Sequence, residues 1–207
     1  MGLRKNILLS KETAIYKDKG SKFIAYAYPV KSEEEIRTFI DLLKKEHFGA
    51  RHWCYAWRLG EVGDLYRAND DCEPAGSAGR PILAAIDLHS LSDILVVVVR
   101  YFGGTLLGVR GLINAYGGSA TLALGEAKIA PMPIPRKIVA VFSYDKMAEV
   151  QRVINDFDLK PNTVSYETAY IQMHFEADLL LIERLTERLD RIYGVKLTGT
   201  ENKTTEN

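Results

Sequence analysis

The sequence predicts a two-domain α+β protein, and three observations carry that expectation. Strand-like and helix-like apolar patterns interleave from residue 13 to residue 127. Prolines then stand at 131, 133 and 135, which favours an extended connector over a helix or a central strand and marks a domain boundary. Beyond it the patterns run βαββαβ, the split βαβ arrangement of ferredoxin-like domains. The predicted domains are residues 1–132 and 136–201, followed by a polar tail at 202–207.

Residues 13 to 30 hold two β-rich runs around the turn dipeptide Lys19-Gly20, a hairpin pattern ending in Phe23 to Val30. Ser32 and Glu35 make a capping-box pair, and Ile36, Phe39, Ile40 and Leu43 then recur at helical spacing, so a helix is expected as far as Phe48 and Gly49. Trp53 to Trp57 and Leu65 to Arg67 read as strands, and Pro81 to Leu88 as a helix with proline in its tolerant first turn. Ile94 to Val99 is an unbroken, mostly β-branched apolar run, which suits a strand covered on both faces. A long helix follows over Gly108 to Ala127, with Leu112, Ala115, Tyr116 and Ala120 on one face.

In the second domain Ile138 to Tyr144 reads as a strand, and Met147, Val150, Ile154 and Phe157 trace a helix. Residues 163 to 176 form a strand or hairpin whose later arm turns Ile171, Met173 and Phe175 inward. Leu181, Leu185, Leu189 and Ile192 mark a last helix closed by Gly194, and Val195 to Thr198 return as a strand.

An apolar fraction of 47% over 207 residues is enough for packed cores. Basic and acidic residues balance at 27 each, and a cut at Pro135 leaves halves of +2 and −2, so neither half is a basic nucleic-acid domain on charge. Cys54 and Cys72 sit in unlike contexts behind an amino end without a signal-peptide pattern, which predicts free thiols in a reducing cytoplasm. No apolar run is long enough to span a bilayer, and Asn6 stands where a myristoylation signal needs Ser or Thr.

The chemistry concentrates in two segments flanking the 94–99 run. The first is Asp70-Asp71-Cys72-Glu73-Pro74-Ala75-Gly76-Ser77-Ala78-Gly79-Arg80-Pro81, and the second runs from Arg100 and Tyr101 through Gly103, Gly104 and Gly108 to Arg110 and Gly111. Four glycines in the nine residues 103–111 predict a backbone that another group approaches closely.

With these blocks set out, the chain resembles the YigZ/IMPACT family over nearly its whole length. Gly20-Ser21-Lys22-Phe23-Ile24-Ala25 matches early, then Ala50, His52, Cys54 and Ala56, then the acidic segment, then Val98-Val99-Arg100-Tyr101-Phe102-Gly103-Gly104 with Leu107, Gly108, Gly111, Leu112, Ala115 and Tyr116. The resemblance implies a cytoplasmic protein whose first domain is βαβ-containing and like the second domain of a small-subunit ribosomal protein and domain four of elongation factor G. Its second domain would be a ferredoxin-like elongation-factor domain. Eukaryotic relatives are linked to translational control through a starvation-responsive kinase pathway, so the partners implied are ribosome, RNA or a translation-linked protein. The chain departs from the family at Leu106, where Lys is usual, at Arg110 within a usual Gly-Gly, at Asn114, where Arg precedes Ala-Tyr, at Cys72 for Gly and at Ser77 for Thr.

Each chemical reading has a structural rival. Arg80, Arg100 and the glycine amides can hold a phosphate, or the arginines can pair with Asp70, Asp71 or Glu73 and lock the two loops together. The three acids can hold a divalent ion, or an aspartate of the segment or Ser77 can cap the helix that follows. His52 with Asp71 and Glu73 forms the catalytic alternative, with Cys54 or Cys72 as its nucleophile; otherwise His52 is structural. Trp53, Tyr55 and Trp57 share a strand face that either stacks bases or packs on the first helix, and Lys17, Lys19 and Lys22 form a basic hairpin edge.

The resulting expectation is a non-catalytic translation regulator. Its ligand-binding set is Asp70, Asp71, Glu73, Gly76, Ser77, Gly79, Arg80, Arg100, Tyr101, Gly103, Gly104, Gly108, Arg110 and Gly111, with no metal and no cofactor. The alternative is an enzyme acting on a phosphorylated small molecule or a peptide at the same place. No membrane partner is expected, and the sequence specifies no oligomeric state.

Overall fold

The structure, a computed structural model, describes residues 4–61 and 63–199. Lys5–Met132 forms one compact unit, and the chain from Pro133 together with Arg4 forms another.

The larger unit is built around β6 (Ile94–Tyr101), which is buried from Ile94 through Arg100. It is the middle strand of an antiparallel sheet ordered β2-β3-β6-β4-β5, with β2 at Glu12–Asp18, β3 at Ser21–Pro29, β4 at His52–Leu59 and β5 at Leu65–Asn69. Alternation sends Ile94, Val96 and Val98 into a core under α2 (Gly79–Leu88) and α3 (Gly108–Gly125), and Leu95, Val97 and Val99 into a second core under α1 (Glu33–Glu46). The both-faces-covered strand expected from the apolar run is thus observed.

The hairpin turn at Lys19 and Gly20 has φ of 43° and 80°, the pair of positive values a tight right-twisted hairpin requires. Ser32 Oγ accepts the Glu35 N–H at 3.2 Å, a cap of about 1 kcal/mol. The Glu35 carboxylate returns the bond to the Lys31 N–H at 2.7 Å, one residue earlier than the usual capping box. The helix ends at Glu46, slightly before the expected Phe48.

Two strands differ from expectation. Residues 130–135 are extended but do not merely connect: β7 (Ile129–Pro133) pairs with β1 (Arg4–Leu8), in a two-stranded sheet where proline's missing N–H can be tolerated. Trp57 is buried, and Trp53 and Tyr55 pack beside it in the core under α1, with the Trp53 ring N–H donating to the Leu43 carbonyl at 3.3 Å. Their shared face is therefore occupied by the helix and is not open to nucleobases.

The smaller unit contains β8 (Arg136–Phe142), α4 (Met147–Asp156), β9 (Thr163–Tyr166), β10 (Ile171–Ala177), α5 (Leu179–Leu189) and β11 (Lys196–Gly199). Its sheet order is β11-β8-β10-β9, so the last strand lies beside the first. Ile171, Met173 and Phe175 are buried against Val150, Ile154, Leu185 and Leu189. Among the described residues no helix is long and apolar enough to cross a membrane.

Candidate functional site

Register decides which motif residues meet. Across β6, Arg100 stands opposite Phe23 of β3 and His52 of β4, so all three side chains share the face that carries α2 and α3. The acidic segment leaves the edge strand β5 and passes over this end of the sheet. Asp71 and Cys72 take φ of 42° and 67°, and these successive left-handed residues separate the directions of Asp70 and Glu73.

Asp70 turns toward the start of α2. Its carboxylate accepts the N–H groups of Gly76 at 2.8 Å, Ala78 at 2.9 Å and Gly79 at 2.8 Å, and so caps a helix whose own cap position, Ala78, has no side-chain acceptor. Burial pulls the Asp70 pKa upward, but these amides, aided by the nearby Arg80 guanidinium, leave it below the usual carboxylate range. The lowered value means that Asp70 stabilises the fold above the unfolded-state pKa and ceases to as pH falls through the folded value. Urea titrations from neutral to acid pH should show a loss of stability that Asp70→Asn removes, with Asp70→Asn already less stable at neutral pH. Ser77 does not share the capping role: it is buried and its Oγ has no partner among the described residues.

Asp71 is likewise committed to the framework. Its carboxylate accepts the Trp53 N–H at 2.7 Å, and its carbonyl accepts His52 Nδ1–H at 2.8 Å. Because a carbonyl only accepts, His52 donates through Nδ1 and turns Nε2 toward Glu73 Oε1, at 3.7 Å. Glu73, with a side chain only 5% exposed, also accepts from Arg100 Nη1 and from the Tyr116 hydroxyl at 2.7 Å. Arg100 is itself buried, between the rings of Phe23 at 5.4 Å and Phe102 at 5.7 Å. The two motifs therefore meet through a buried ion pair, as the clamp reading requires. Burial raises the pKa of Tyr116 and of Cys54, whose thiol donates to the Asp70 carbonyl at 3.0 Å, so neither is set up as a nucleophile.

Beside the clamp is a cavity of about 490 Å³ lined by Arg51, His52, Glu73, Pro74, Arg100, Phe102, Leu106 and Leu107, with Gly108, Val109 and Leu112 of α3. Of the predicted ligand set it holds Glu73, Arg100 and Gly108, together with His52 from the catalytic alternative. The remaining residues of that set are placed elsewhere. Tyr101 lies toward α1, where its hydroxyl bonds His47 Nδ1 at 2.9 Å, and Arg80 and Arg110 are exposed outside the lining. Gly103 serves the chain itself: its N–H donates to Ser21 Oγ at 3.1 Å, and a β-carbon there would overlap the Gly20 backbone. The close approach foreseen for the glycine segment is thus made by the β2–β3 turn. Gly79 in the same way admits the Asn69 backbone, Gly111 admits the Leu107 side chain, and Gly104 and Gly108 face open space at positive φ.

Among the described residues no three His, Cys, Asp or Glu side chains are placed to share a metal ion. The residues missed from sequence are the apolar wall, Phe102, Leu106, Leu107, Val109 and Leu112, with Arg51 and Pro74. Phe102, Leu106 and Val109 are 48%, 83% and 53% exposed, and large apolar residues within a glycine-rich segment were the available signal.

Fold and site together define a two-unit α+β protein with a preformed, mostly apolar crevice beside a buried ion pair. A profile of the Impact N-terminal domain matches residues 19–124. An IMPACT family member of Haemophilus influenzae is 32% identical over 196 residues, covering 92% of this chain and 90% of the relative. The Bacillus subtilis IMPACT family member YvyE is 34% identical over 146 residues, covering 70% and 67%. A crystal structure described as a hypothetical protein superposes with a TM-score of 0.74 at 26% identity, covering 98% of this chain and 100% of that one. The chain belongs to the IMPACT family.

Proposed function

We propose that the chain acts in translational control as a non-catalytic binding module whose crevice seats part of a translation-linked protein. On this reading the larger unit is the ribosomal-protein-like domain, the smaller is ferredoxin-like, and the protein works in the cytoplasm. Family membership supports the link to translation. The observation that carries the protein partner is the clamp: Arg100, the leading candidate for a phosphate contact, is already paired with Glu73, while the crevice presents exposed Phe102, Leu106 and Val109. A nucleic-acid site would need several unpaired cations, whereas most of this lining is apolar and Arg100 is already paired.

Co-sedimentation with ribosomes and with purified translation factors tests the reading. Leu106→Asp should weaken association about tenfold without changing the melting temperature, because it puts a charge on the apolar wall. A steep loss of binding with salt would transfer the reading to RNA, and no association with any translation component would end it.

One observation favours the enzymatic reading: His52 is oriented by its Nδ1 bond to the Asp71 carbonyl, with Nε2 turned toward Glu73 beside the crevice. Turnover of a phosphorylated small molecule or a peptide, abolished by His52→Asn, would put catalysis in place of binding.

A further inference from the structure

We propose that the crevice recognises a monocarboxylate with an apolar body, the chemistry presented by a peptide's C-terminal residue when that residue is Leu, Met or Phe. The inference rests on the crevice being the binding surface of the module and names what it binds.

Arg100 leaves one side of its guanidinium unused. Glu73 takes Nη1, on one side of the guanidinium, and Nε on the opposite edge is buried with no partner among the described residues. Nε and Nη2 form the planar fork that receives both oxygens of a carboxylate. A buried N–H left without an acceptor is costly, and a ligand oxygen that reached Nε from the crevice Arg100 lines, displacing the packing that seals it, would relieve that cost.

The residues around the crevice include two cations, Arg51 and Arg100, against the single carboxylate of Glu73, so one negative charge would balance the site. Arg51 is held beside Arg100 by its backbone, whose N–H donates to the Arg100 carbonyl at 3.0 Å, and the residue is exposed. Phe102, Leu106, Leu107, Val109 and Leu112 would bury an aliphatic or aromatic side chain, and the cavity volume lies within the range of small-ligand sites. Inorganic phosphate would satisfy the arginines but leave this wall uncovered.

Fluorescence polarisation on the full chain tests the proposal with a dye-labelled Ala-Ala-Ala-Leu peptide, its C-terminal amide, N-acetyl-leucine as competitor, inorganic phosphate and oligouridylate. The free acid should bind, and amidation should weaken binding about tenfold or more. Arg51→Gln should weaken the acid more than the amide. Arg100→Lys keeps a cation for Glu73 and so preserves the fold, but lacks the planar fork and should lose the preference for acid over amide.

If N-acetyl-leucine competes as well as unlabelled peptide, the source is a free acid; if the peptide is much tighter, it is a chain terminus. Equal binding of acid and amide, a response only to phosphate or oligouridylate, or no binding by any probe overturns the proposal. Should translation components still bind and lose affinity on Leu106→Asp in that case, only the carboxylate chemistry fails. Carboxylate binding without any such association would instead refute the translational role alone.

Discussion

Glu73→Ala should lower the stability of the chain by about 3–5 kcal/mol in urea denaturation, because it strands a buried guanidinium. Arg100 is 5% exposed and Glu73 is its hydrogen-bonded acidic partner, so truncation leaves the cation without a counter-charge and the Tyr116 hydroxyl without its acceptor. The size of the effect belongs to the broken pair and does not measure the pair's net worth. Replacing both members together, as Glu73→Leu with Arg100→Met, removes the stranded charge and should recover most of the loss. A Glu73→Ala cost under about 1 kcal/mol would mean that the clamp is weak and that the two loops are joined by other contacts.

Gly103→Ala should be comparably damaging, at about 3 kcal/mol or more, while Gly104→Ala next to it costs about 1 kcal/mol. At Gly103 the added methyl would overlap the backbone of Gly20 and Ser21, which cannot swing aside as a long side chain can. At Gly104 nothing lies within 4 Å, and only the strain of φ at +86° is felt. Thermal melts of the two variants separate close approach from backbone conformation. Equal costs would show that the β2–β3 turn moves away from Gly103 easily.

How far the sequence could be read follows from what kind of signal each element carries. The first helix and the central strand were legible because their apolar patterns are long and regular. Strand β1 was not, since Arg4-Lys5-Asn6-Ile7-Leu8 has no alternation, and β7 was read only as extended chain because prolines at 131 and 133 argue against a central strand. At the site, both motifs and the possibility of an Arg–Glu clamp were visible, but register was not. That His52 and Arg100 are cross-strand neighbours depends on pairing between residues 48 positions apart.

Asp70 and Glu73 looked interchangeable in sequence. Two left-handed residues between them send one to the helix amides and the other to Arg100. The glycines announced a close approach without showing that the approaching group was the protein's own turn. The apolar wall was not legible because Phe102, Leu106 and Val109 stand among glycines and charges without the regular spacing that marks a buried face.

The central strand also acts as a partition. Neighbouring residues along β6 belong to layers with separate populations of side chains, so an enlarged Val97 presses on α1 and an enlarged Val98 on α2 and α3. The layer under α1 can therefore be remodelled, by selection or by design, while the opposite layer that frames the crevice keeps its shape.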